Sequence, residues 1–282
     1  MVFDKLYTAD FLLKRPSFAF ILGIAHTILG LFLAILIFRD SPALIAVGIT
    51  SLLLMPSLFK ITSKTEIIQT KANNFWNVLK SNLPVVKVYI FMFFGIFFTF
   101  AFFSMVLPEL ARNHLFSQQL AIILGSGQAT FSMGLFWHLF SWNLQVLLLC
   151  MIISLIAGNG AILFIAWNAS VWGTIFGNLA KTAAVVSGGS IAIIFLLIII
   201  SVFPHTFLEG LSYIVSTISG TLMSDGLAKE KFFSRKMGRV FKYNALIFLL
   251  AIAILVVACA VETFVLNNFE TYHLIIQIAF GG

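Results

Sequence analysis

Residues 141–226, SWNLQVLLLCMIISLIAGNGAILFIAWNASVWGTIFGNLAKTAAVVSGGSIAIIFLLIIISVFPHTFLEGLSYIVSTISGTLMSDG, decide the fold. The stretch is apolar enough to be solvated by lipid, yet it carries Asn143, Asn159, Asn168 and Asn178, a Gly158-Asn159-Gly160 turn signal, the pair Gly173 and Gly177, and Pro204-His205 with Glu209. Polar side chains at membrane depth are costly unless another helix or enclosed water meets them. A plain anchor has no use for them, so the pattern implies an all-α bundle with a packed or water-lined interior.

Working outward, the whole chain has the same character. It is 61% hydrophobic and 10% charged, with mean hydropathy +1.07, which excludes an ordinary soluble domain. A spanning helix needs about 20 apolar residues. Runs of that length fall at Ser17 to Phe38, Pro42 to Phe59, Pro84 to Leu107, Trp142 to Ala157, Ala161 to Ala180, the segment from Gly188, and Tyr243 to Leu266. The expectation is about seven spans. Residues 1–83 read as an N-terminal helical hairpin with a basic loop, and 84–282 as the membrane core.

Two points in this chain of spans stay open. Gly158-Asn159-Gly160 is either a hairpin turn or a break within a longer helix, because glycine accepts positive φ and periodicity does not choose. Pro204 is expected to break the long helix after Gly188, since proline removes a backbone donor and disfavours helix before it. Glu109 to His138 is too apolar for a free loop and reads as interfacial or re-entrant helix, while Phe75, Trp76 and Leu79 suggest an interfacial stretch.

Charge distribution gives the orientation. Fourteen of the seventeen basic residues fall in three groups: Lys5, Lys14 and Arg15; Lys60, Lys64, Lys71, Lys80 and Lys87; and Lys229, Lys231, Arg235, Lys236, Arg239 and Lys242. One topology places all three on the cytoplasmic side of the cell membrane, with the N-terminus inside and the C-terminus outside. The net charge of +7 is then retention of positive loops, with anionic lipid as the partner and no nucleic acid. Cys150 and Cys259 lie in apolar runs and behave as small hydrophobes.

Two helix faces carry the candidate sites. Ala166, Ser170, Gly173, Gly177 and Ala180 recur at helical spacing, so Gly173 and Gly177 form a small face for close helix packing, either within the chain or in a homodimer. His205, Glu209, Ser212, Ser216 and Ser219 form a polar stripe, expected to face a cavity bounded by helices carrying Asn143, Asn159, Asn168 or Asn178. The stripe is either interhelical glue or a path for a solute or proton. Two ligands at i and i+4 do not make a metal site, and no cofactor or hydrolase motif is present. Glu262, near the end of the last span, reads as a solvated boundary charge.

The ordered set of Asn143, the glycine-rich turn, Trp167-Asn168-Ala169-Ser170, Gly177-Asn178 and Pro204-His205 with Glu209 resembles the stage II sporulation protein M (SpoIIM) family, in its archaeal-type branch. KRPSFAFILG from Lys14, IFRDSPALIAVGITSLLLMPSLFK from Ile37 and VETFV from Val261 extend the resemblance over roughly residues 14–266, with Thr206 where the family often has a small residue. In endospore formers the family member is a membrane component of a complex with two peptidoglycan-remodelling enzymes and is not itself a known hydrolase. The resemblance implies a non-catalytic membrane subunit or scaffold of an envelope- or membrane-remodelling complex. Intramembrane asparagines beside a broken helix instead suit a small-solute or ion transporter, although no inverted repeat is visible.

Overall fold

A computed structural model describes residues 8–38, 42–69, 75–121 and 133–268. The described residues are helical throughout apart from short turns. They comprise α1 (Ala9–Lys14), α2 (Phe18–Ile37), α3 (Pro42–Gln69), α4 (Phe75–Val106), α5 (Glu109–Leu115), α6 (Ser117–Ala121), α7 (Met133–Ala157), α8 (Ile162–Ser187), α9 (Ile191–Lys229) and α10 (Arg235–Asn268). Six segments are long and apolar enough to cross a membrane. The fourth, Gly134–Ser187, has 54 residues, about 80 Å at ~1.5 Å per residue and far more than one crossing needs. It is folded in two at a 3-10 turn, Gly158–Ala161, so the chain passes the bundle seven times.

The contacts along the helices settle that turn. Asn143, Leu147 and Gly158 meet Glu209, Ser216 and Thr221 in the same order, so α7 and α9 run parallel. Asn159, Thr174 and Lys181 meet Tyr89, Ser104 and Leu107 in order, so α8 runs parallel to α4. Since α8 and α9 are joined by the short turn Gly188–Ser190, α7 and α8 point opposite ways and Gly158–Ala161 is a hairpin turn. Gly158 has φ +57°, where an L side chain crowds its own backbone, and a Cβ there would also lie 3.1 Å from the Phe59 ring. Gly158→Ala is therefore expected to cost about 1–2 kcal/mol; an unchanged melting temperature in detergent would contradict the left-handed turn.

Pro204 does not break its helix. The 39-residue α9 runs from Ile191 to Lys229 with Pro204 inside it, correcting the expected interruption. One backbone hydrogen bond is lost, but Phe203 and Phe207 flank the site and both pack on Phe94 of α4, at 5.5 and 6.0 Å between ring centres. Packing from neighbouring helices is what lets proline persist in a spanning segment. At about 58 Å the helix overruns the ~30 Å hydrocarbon layer, so its length is accommodated beyond the membrane.

Several other expected limits move for the same reason: helices continue past their apolar runs. Phe75, Trp76 and Leu79 are not a separate interfacial helix but the first turns of α4, continuous with its span and with Pro84 inside. Arg235 to Lys242 likewise open α10, and Met133 to Trp137 open α7. The connection after α4 folds back on the bundle where it is described. From Leu107 the chain turns back, placing Phe116 against Phe100 at 5.7 Å between rings and Gln119 beside Ser170 of α8. The sites at Gly125-Ser126-Gly127, Arg39-Asp40-Ser41 and the tail beyond Asn268 lie outside the described residues.

Close backbone crossings hold the bundle. A Cβ on Gly23 of α2 would sit 2.7 Å from the Met92 carbonyl of α4, and one on Gly177 of α8 would sit 2.6 Å from the Ala101 carbonyl of α4. Gly173 faces the Phe97 carbonyl, so the small face of α8 packs on α4 of the same chain. Such approach yields dispersion contact that hydrophobic burial does not supply in lipid. One core cluster runs from Leu12 through α4 and α8 to Cys259, and includes the N-terminal hairpin.

Candidate functional site

The polar stripe of α9 faces protein. His205, Glu209, Ser212, Ser216 and Ser219 are all buried, whereas Ile193, Leu196 and Ile200 on the preceding turns of the same helix are exposed. Each hydroxyl has an identifiable acceptor. Ser216 Oγ donates to the Leu147 carbonyl of α7 at 2.8 Å, Ser219 Oγ to the Asn244 carbonyl of α10 at 2.8 Å, and Ser212 Oγ to the Glu209 carbonyl at 2.7 Å. Thus the lower stripe stitches three helices together through direct hydrogen bonds.

At the far end of that seam lies a denser cluster. Asn143 Nδ2 donates to Glu209 Oε1 at 2.7 Å, and Tyr213 Oη donates to Asn143 Oδ1 at 2.9 Å. The site is therefore built by α7 and α9, where the Asn143 amide bridges Glu209 and Tyr213.

Of the sequence candidates, only Asn143 and Glu209 bond each other here. His205 is buried one turn before Glu209, and its Nδ1 has no hydrogen-bond partner among the described residues. Asn168 bonds back to the Phe164 carbonyl of its own helix at 2.8 Å, and Asn178 is buried on α8; neither is a partner of Glu209. Asn159 belongs to a second site at the basic end. Its Oδ1 accepts from Tyr89 Oη at 2.8 Å and its Nδ2 donates to Thr62 Oγ1 at 3.0 Å. The single polar cavity expected from the sequence is thus two separate networks, correcting that reading.

Glu262 is the residue that sequence reading placed wrongly. It is partly buried, with Oε2 buried and without a hydrogen-bond partner among the described residues, and is not a solvated boundary charge. Tyr213 was hidden in the stripe although it follows Glu209 by four residues.

Fold and site together define a polytopic helical membrane protein whose interior polar groups are gathered at helix seams. The chain belongs to the stage II sporulation protein M (SpoIIM) family, whose family model matches residues 88–265, from α4 through α10. Comparison with curated proteins and with solved structures gives no match.

Proposed function

We propose that this chain is a non-catalytic membrane subunit, or scaffold, of an envelope- or membrane-remodelling complex in the cell membrane. The observation that carries the reading is how its intramembrane polarity is used: the serines of α9 and the asparagines at 143 and 159 spend their hydrogen bonds joining helices of the same chain. Membership of the SpoIIM family supports it. What remains for partners is the lipid-facing apolar surface and the two ends of the bundle.

The ends differ in charge. Tyr243 Oη accepts from Asn82 at 2.7 Å, which brings the starts of α4 and α10 together with Lys80 and Lys242. Positive residues are retained on the cytoplasmic side, so this end is assigned to the cytoplasm and the Gly188–Ser190 turn to the outside. With Cys150 and Cys259 replaced by alanine, Lys231→Cys should label only from the cytoplasm and Gly189→Cys only from outside. Labelling of both from one side contradicts the orientation.

Purification of the intact protein from native membranes tests the function. Stable recovery with proteins that bear envelope-remodelling domains is the expected result. Recovery alone, together with solute or ion flux in liposomes, would replace the scaffold by a transporter.

A further inference from the structure

The segment after α4 carries a positive charge into the bundle. Arg112 of α5 is only 6% exposed, and Leu115, Phe116 and Gln119 are buried with it, whereas Leu110, Ala111, Asn113 and His114 are exposed. Residues three, four and seven apart share one helix face, so Arg112 stands on the face turned to the protein, where an apolar residue is expected. Backbone bonds from Arg112 to the Pro108 carbonyl, Phe116 to Arg112 and Leu120 to Phe116, each 2.9 Å, carry the helical path through Phe116. Thus α5 and α6 form one rod.

Two printed contacts set the register of that rod against α8. Gln119 Nε2 lies 3.5 Å from Ser170 Oγ, and at the other end the Lys181 ammonium donates to the Leu107 carbonyl, just before α5 opens at Glu109. The rod and α8 are therefore antiparallel neighbours. At ~1.5 Å per residue on both, Arg112, seven residues from Gln119, comes level with Gly177 and Asn178, one turn short of Lys181. Neither cation is neutralised: no carboxylate, Glu109 included, lies within ion-pair distance of either among the described residues. Arg112 Nε is buried without a hydrogen-bond partner, and Asn178 is buried and makes no hydrogen bond among the described residues. Lys181 spends one of its three donors on Leu107 and keeps two. Capping the last carbonyls of α4 accounts for Lys181 but leaves the arginine, costly to bury unpaired, without a counter-charge.

We propose that Arg112 and Lys181, with the Asn178 amide beside them, bind a phosphate group. The planar guanidinium offers paired donors to two phosphate oxygens, and the ammonium adds a point charge. Lys181 is half-buried and marks the entry. The site lies at the end of the bundle away from the basic loops, where the apolar span of α4 stops at Val106. Headgroups and water both reach that level, so the phosphate belongs to a membrane lipid or to a soluble anion. Once bound, it ties the α5–α6 rod to α8.

Full-length protein stripped of lipid in dodecyl maltoside tests this. Inorganic phosphate, or dioleoylphosphatidylglycerol in mixed micelles, should raise the melting temperature in a concentration-dependent way. The controls are chloride at equal ionic strength and dioleoylglycerol, which has the same chains and no phosphate. A response to inorganic phosphate assigns the site to a soluble anion; a response to the phospholipid alone assigns it to a headgroup. Arg112→Gln should weaken the apparent affinity about tenfold or more, and Lys181→Gln should weaken it too. Without phosphate, Arg112→Gln should melt no lower than wild type, because it removes an uncompensated buried charge. Native mass spectrometry of the wild-type protein should find one retained phosphate or phospholipid per chain, and this measurement stands even if the variants fail to fold. No shift with either ligand, shifts matched by the controls, or equal shifts in wild type and Arg112→Gln overturn the proposal. An Arg112→Gln protein that melts below wild type without phosphate makes the arginine a packing residue and overturns it equally.

Discussion

Gly173→Leu is expected to leave little folded protein. Its Cβ would meet the Phe97 carbonyl and would lie 3.1 Å from both Ala101 N and Phe100 Cβ, with the rest of the side chain still to be placed. Overfilling an adaptable core costs about 1–3 kcal/mol, and side chains give way first. Here the obstruction is backbone, so α8 and α4 must separate along their length. That separation also breaks the bond from Ser104 Oγ to the Thr174 carbonyl and the bond from Lys181 to the Leu107 carbonyl, and loosens the re-entrant Gln119 on Ser170. The same substitution at Gly48, where nothing lies within 4 Å of a Cβ, should be tolerated. Size-exclusion profiles and melting temperatures in detergent give the comparison. A folded monomer of Gly173→Leu that melts with the wild type would show that the crossing is not close-packed, and loss of only a dimer would make the face an interaction surface.

What could be read from the sequence divides along a physical line. Properties set by one helix alone were legible: the apolar runs, the Gly173 and Gly177 face, and the inward polar stripe of α9 all follow from spacing at 3.6 residues per turn. Partner identity was not, because it depends on which helices become neighbours. Nothing local distinguishes Asn143, which meets Glu209, from Asn168, which returns to its own backbone at Phe164. Glu262 looked like a boundary charge because the burial of its Oε2 depends on neighbouring helices and not on its flanking residues. Pro204 misled for the related reason that its local cost is real, while Phe94 from a distant helix offsets it. The N-terminal hairpin was visible as two spans, but that it shares a core with the family region shows only in the folded chain, where Gly23 approaches Gly95 and Thr62 meets Asn159.

Asn159→Leu carries the other large expected effect, and its consequences are separable. The residue is fully buried in the hairpin turn, where its amide joins Tyr89 of α4 to Thr62 of α3. Leucine keeps the number and branching of the side-chain heavy atoms and removes both bonds. Thr62 Oγ1 still donates to the Leu58 carbonyl at 3.0 Å, so its loss is small. Tyr89 is fully buried, and among the described residues its hydroxyl meets only Asn159. A stranded buried hydroxyl costs about 1–3 kcal/mol, whereas the average interhelical hydrogen bond within a membrane contributes only about 0.6 kcal/mol. The stranded group therefore dominates, and Asn159→Leu should cost about 2–3 kcal/mol on the same scales. Tyr89→Phe, which leaves the amide to find other partners, should cost about 1 kcal/mol. Introduced together they should be non-additive: removing the Tyr89 hydroxyl in the Asn159→Leu background should recover roughly 1 kcal/mol, because no unpaired donor is left behind. The four melting or unfolding free energies in one detergent form the cycle. Strict additivity would mean that Tyr89 and Asn159 do not share a hydrogen bond in the folded protein, and that the turn is held by glycine geometry alone.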